Sequence, residues 1–436
     1  MGNLQHGQLR WFYSIIFSKL FILFTNTTRN QLMKTLKKFF SSASLAIGIL
    51  CLSFFVCGCG REAAEELPLG EANENPADSE ADARTDSEEE TEEEIPPAEE
   101  DPGLPVIEER EIKNGKMQSY LTGEWIEQEK ATRRPIAVMI PNNKPAMPQY
   151  GLSKAAIIYE APVEGRITRL MAVFEDYDDL DHIGPVRSSR DYFVYVAMGY
   201  EAIYCNWGLA RPYVEELLSR DTVQNISAAV EGIHNPSDEA FGRLSRPGYA
   251  TEFTGYLFID GLEKAIKRQK YETEYDDLYV PPFTFIADNY RAEYEENEDA
   301  SFIYPGGRKD NAGGYGAYCP YFEYNEQDKL YYRYQDGKEQ IDEHDGSQLA
   351  VSNVVLQYCH GEVRDKKDYL AFGVHGEGEA LVFTNGKAIK ATWMRYDGDA
   401  TPAKFFDKDG NEIIFNQGKT WICNIWDEYS EFVEYE

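Results

Sequence analysis

Positive charge is scarce in this chain of 436 residues: 43 Lys and Arg stand against 76 Asp and Glu, a formal net charge of −33. Such a deficit opposes direct binding to nucleic acid or to an anionic bilayer. The usual catalytic signatures are missing too. No G-x-S-x-G, H-E-x-x-H, G-x-x-x-x-G-K-[ST] or C-x-x-C motif occurs after residue 59, so the familiar nucleophile, zinc, nucleotide and redox chemistries have no anchor. No cofactor and no metal site are expected. Cysteine is sparse as well. Beyond residue 59 there are Cys205, Cys319, Cys359 and Cys423, of which Cys205 and Cys359 sit in apolar runs and read as small core residues. A Cys319–Cys359 bridge is compatible with the sequence, which does not establish it.

What is present is unevenly spread. The first 60 residues hold six basic side chains and no Asp or Glu. Residues 1–32 read as an upstream non-native start or a membrane segment, with an apolar run at 11–24 that is short for a span. From Met33 a basic stretch leads into an apolar core and then Val56-Cys57-Gly58-Cys59, the layout of a signal peptide over 33–58. Its ending resembles a bacterial lipobox. That resemblance implies cleavage before Cys59, lipid attachment to its sulfur, and a body held at the membrane outside the cytoplasm. An uncleaved anchor is the alternative and places the body on the same side. Residues 61–112 carry 21 acidic and 3 basic side chains with almost no aromatics. Such a segment cannot bury enough apolar surface to order itself, so 59–112 is expected to be a lipidated cysteine followed by an acidic tether.

The rest, residues 113–436, exceeds one comfortable core and is expected to form two domains, 113–277 and 278–436. In the first, strand-like runs (136–140, 202–206, 255–259) alternate with helix-like runs (211–219, 261–270), which predicts an α+β or α/β fold with an α/β layer around a sheet containing a central hairpin. The second is a series of short alternating runs separated by turns such as Asn385-Gly386 and Asp409-Gly410, expected to be mostly antiparallel β. Asp407–Asn411 and Asp342–Asp345 read as turns before cation sites. Thirty tyrosines suit either strands or an aromatic surface for sugars or protein partners.

The hairpin spans Ala156–Val163 and Ile167–Glu175 around Gly165. A two-residue loop at Gly165-Arg166 sets Pro162 opposite Arg169 and makes Glu160 and Glu164 its neighbours on one face, a buried ion pair with a folding role. Downstream, Ser188 and Asp191 have capping-box spacing, so a helix is expected to begin near Ser189. Its free N–H groups, with Arg187, Ser188, Ser189 and Arg190, predict an anion site to which Arg169 also belongs. Two readings stay open. One is a binding or scaffold module for an anionic envelope component or a partner protein; the other is a hydrolase or transferase acting on an envelope polymer, with Glu160 or Glu164 as general acid or base.

With these motifs in place, the body resembles the YerB-like lipoproteins, a bacterial family whose two domains (domain of unknown function 3048) have no assigned activity. The resemblance is carried by Arg134–Ile140, Tyr159–Gly165 with Thr168-Arg169, Ile183–Ser188 with Arg190, Asn353–Val355, Ala391–Trp393 and Gly418–Ile422. It implies a lipid-anchored, two-domain envelope protein and no particular reaction. In one place the chain departs from the family: Tyr249–Gly255 stands where an Ala-Pro-His-Asn-like segment is expected, which removes a histidine. His234-Asn235, beside Pro236, reads as a turn rather than a replacement.

Overall fold

Apolar residues on both sides of a strand call for cover on both faces, and the hairpin strands have it. In a computed structural model that describes residues 103–309 and 315–436, these strands lie in the middle of an eleven-stranded sheet. The signal peptide, Cys59 and most of the acidic segment lie outside the described residues. The strands that matter below are β1 (Ile136–Pro141), β2 (Ile157–Val163), β3 (Ile167–Phe174), β4 (Ile203–Asn206) and β5 (Asn225–Ser227). From the second half come β6 (Tyr321–Asn325), β7 (Leu330–Gln335), β8 (Asn353–Cys359), β9 (Gly376–Thr384), β10 (Lys387–Arg395) and β11 (Thr420–Trp426).

Across the large sheet the order is β10-β9-β8-β11-β2-β3-β1-β4-β5. Strand β11 is parallel to both β8 and β2, and β1, β4 and β5 are mutually parallel, whereas β3 and β9 run the other way. Strands β1, β2, β4, β5, β8, β10 and β11 therefore all end at one edge. Strands from both sides of the boundary expected at residue 277 share this sheet.

The protein is mostly β-sheet, and the α/β layer expected for residues 113–277 is not formed. Only four α-helices occur among the described residues: α1 (Gln128–Thr132), α2 (Asp191–Gly199), α3 (Arg211–Leu218) and α4 (Ile259–Gln269). The physical reason is where the strands go. The strand before α4, Gly255–Phe258, leaves the large sheet for a separate three-stranded one with Phe241–Arg243 and His182–Ile183. The flank of β2 is filled instead by β11, from the end of the chain.

Side-chain alternation sorts two cores onto the two faces. One holds Tyr159, Ala161, Met171 and Val173 with α2, α3, Phe283 and Phe405; the other holds Ile158, Leu170, Ala172 and Phe174 with α4 and the Phe322 and Tyr331 side of the smaller, six-stranded sheet. Helix α4 packs so closely that a Cβ on Gly261 would lie 2.0 Å from the Glu239 carbonyl oxygen. The acidic segment is not a free tether up to 112. Apolar Val106 and Ile107 follow the glutamates, and here Ile107 N–H donates to the Phe285 carbonyl (3.0 Å) while the Arg110 guanidinium lies 3.2 Å over the Tyr120 ring.

Three of the four cysteines, Cys205, Cys359 and Cys423, are buried free thiols. No Cys319–Cys359 bridge forms, and burial pushes the pKa of all three up, which keeps them unreactive. Four of the tyrosines pair across strands of the six-stranded sheet, Tyr321 with Tyr334 at 4.7 Å and Tyr324 with Tyr331 at 4.9 Å.

Candidate functional site

One residue of register decides the site. The hairpin loop has three residues, Glu164-Gly165-Arg166, with Gly165 (φ 81°) and Arg166 (φ 61°) in the left-handed region. Arg169 therefore lies opposite Ala161 rather than Pro162, and Glu160 lies opposite Leu170. A one-residue slip moves a side chain to the other face. The expected Arg169–Glu160–Glu164 cluster is thus not formed: Glu160 faces one core, Arg169 the other, and Glu164 stays in the turn.

Glu160 meets Arg333, which the sequence reading did not single out. Both are 0% exposed, and Arg333 Nη2 reaches the two carboxylate oxygens at 3.0 and 2.8 Å. The remaining acceptor capacity is taken by Thr168 Oγ1 (2.6 Å), Asn142 Nδ2 (3.0 Å) and Trp421 Nε1 (2.9 Å). The guanidinium lies against the rings of Phe322 and Trp421, 4.6 and 4.7 Å from their centroids. No side of Glu160 is open to a substrate. The signal for Arg333 was in the alternation of LYYRYQ, which puts it on the buried parity of β7 with Tyr331 and Gln335.

On the opposite face Arg169 is 6% exposed, and its Nη1 donates to the Ser188 carbonyl (2.8 Å). Its Nε has no partner, and among the described residues no carboxylate pairs with it. Burial, with repulsion from Arg190 and Arg187, pushes its pKa down to about 9, so it stays cationic at neutral pH. The two neighbours are neutralised. Arg190 donates through Nε to Glu164 (2.8 Å), also pairs with it through Nη2, and donates to the Ser189 carbonyl (2.8 Å). Burial opposes its charge, but Glu164 outweighs that and raises the pKa. Arg187 pairs with Glu252 (2.9 Å), from the segment where the chain departs from the family resemblance.

Helix α2 begins at Asp191, two residues past Ser189 and so close to the expected start, but no side chain caps it. The capping box does not close because the chain before it is bound elsewhere. Ser189 N–H donates to the Gly208 carbonyl (2.8 Å), the Ser189 hydroxyl accepts from Tyr204 Oη (2.8 Å), and Asp191 pairs with Arg364 (2.7 Å). Arg187, Ser188, Ser189 and Arg190 do come together with Arg169. They lie at the carboxyl ends of β1 and β4, since Arg187 N–H donates to the Met139 carbonyl and Trp207 N–H to the Arg187 carbonyl. His234 is not among them; it is exposed beside Glu215.

Comparison with known proteins places this arrangement. Residues 121–272 match the model "Protein of unknown function (DUF3048) N-terminal domain", and residues 313–422 match its C-terminal counterpart. The chain belongs to the DUF3048 family. A relative from Bacillus subtilis (strain 168), named "Putative lipoprotein YerB", is 28% identical over 318 residues, covering 70% of this chain and 86% of the relative. The crystal structure of the YerB protein from Bacillus subtilis superposes with a TM-score of 0.61 at 26% identity, over 73% of this chain and 99% of that one. Within the family's N-terminal domain fall Glu160, Glu164, Arg169 and the 187–190 run; Arg333 and Trp421, the partners of Glu160, fall in the C-terminal domain.

Proposed function

We propose that this chain is a lipid-anchored protein outside the cytoplasm that binds an anionic ligand, an envelope component or an acidic partner surface, at Arg169 with Arg187 and Arg190. The observation that carries the reading is Arg169 itself: a guanidinium 6% exposed, with a bare Nε and no carboxylate paired with it among the described residues. A buried cation of this kind gains from a bound anion what neighbouring carboxylates supply elsewhere. The anchor is supported by the lipobox-like Val56–Cys59 and by the name of the Bacillus subtilis relative. The alternative, hydrolysis or transfer on an envelope polymer, draws no support from Glu160, which is sealed, or from Glu164, which is clamped by Arg190.

The test is a titration of the soluble body with sulfate, phosphate and carboxylate-bearing wall fragments, read as a shift in melting temperature that grows by mass action and shrinks with inert salt. Arg169→Met should abolish the shift, and Arg187→Ala should weaken it. Since Arg169 bonds only a backbone carbonyl, Arg169→Met strands no carboxylate and should leave the unliganded fold intact. An undiminished anion response in Arg169→Met would remove the basis of the reading.

A further inference from the structure

A second buried arginine at the same sheet edge, outside the site just described, also lacks a counter-charge. Arg395, the last residue of β10, is 3% exposed. Its Nη2 donates to the carbonyls of Tyr195 (2.5 Å) and Asp399 (2.8 Å), and its Nε has no partner. The Asp399 carboxylate is turned to His375 (3.0 Å), and among the described residues none pairs with Arg395. Tyr159, 1% exposed, likewise has a hydroxyl without a partner. Both side chains line one small pocket, ≈ 10 Å³ in volume, together with Tyr200, Phe283, Gln357, Val374 and Phe405.

We propose that this cavity is a halide site in which one chloride accepts hydrogen bonds from Arg395 Nε and Tyr159 Oη. The room suits a single sphere and excludes sulfate, phosphate and carboxylates, all of which have several heavy atoms. A water molecule would fill the same space but leave the guanidinium, which no carboxylate pairs with among the described residues, without a counter-ion. A monatomic anion meets both requirements. The site is separate from Arg169 and joins β2 to β10, so it acts on the fold and not on the ligand bound at Arg169.

The experiment compares melting in sodium chloride or bromide with melting in sodium gluconate, too large to enter, at equal ionic strength. A saturable halide-specific rise of about 1–3 °C is expected. Crystals soaked in sodium bromide should show one anomalous peak within hydrogen-bond reach of Arg395 Nε and Tyr159 Oη. Tyr159→Phe, which keeps the ring and the packing, should weaken the halide response several-fold, and Arg395→Met should abolish it. Equal melting in halide and gluconate, or a bromide-soaked cavity holding only water, would overturn the proposal; bromide found solely on the surface would do the same.

Discussion

Arg333→Met tests whether the Glu160 pair holds the two halves of the chain together. The substitution keeps most of the apolar stem beside Phe322 and Trp421 and removes the charge that sits 2.8 Å from a fully buried carboxylate. Breaking a buried pair from one side costs about 3–5 kcal/mol, because the other charge stays buried. The low part of that range applies here. Arg333 Nε and Nη1 have no hydrogen-bond partners, so their loss relieves a cost, and three further donors still serve Glu160. With an unfolding entropy of about 2 cal/mol/K per residue, a loss of ~3 kcal/mol lowers the melting temperature by roughly 4–5 °C. Urea denaturation of the soluble body, followed by tryptophan fluorescence, measures it directly. Glu160→Gln combined with Arg333→Met should recover much of the loss, since the amide needs no cation. If Arg333→Met cost under about 1 kcal/mol, or if the double variant were no better than the single, the pair would not be the element that the geometry describes.

The other predictions concern separate parts of the chain. Burial pushes the Glu175 carboxyl up to about 7 from its ordinary 4.5, so the folded state holds a proton that the unfolded state has lost. Stability should therefore fall as pH rises from about 4.5 to 7 and level off above; Glu175→Gln should remove up to about 3 kcal/mol of that decline, read as the difference between urea titrations of the two proteins. Gly261→Ala should destabilise by about 1–3 kcal/mol, since its Cβ meets the Glu239 carbonyl, and thermal melting would register the loss. Arg187→Ala should change unliganded stability by under about 1 kcal/mol, because its pair with Glu252 is partly solvated. Cys59→Ala should abolish incorporation of labelled lipid, which forms its thioether on that sulfur; unchanged membrane attachment would favour an uncleaved anchor.

Sequence alone determined the hairpin, the arginine-bearing run at 187–190, the beginning of a helix close behind it and the β-rich second half. Each rests on local spacing: alternation in β2 and β3, a glycine at the turn, apolar runs punctuated by Asn-Gly and Asp-Gly. Tertiary structure alone decided which charges meet. A three-residue loop instead of two sent Glu160 to the face opposite Arg169, and Arg333, distant in sequence, arrived there on β7 of the other half. The sheet composition was equally out of reach. Local patterning says that a run is a strand but not which neighbour takes its edge, and β11 fills the flank of β2 from the far end of the chain. The pairing of Arg190 with Glu164, and the absence of such a partner for Arg169 among the described residues, follow from those two long-range choices.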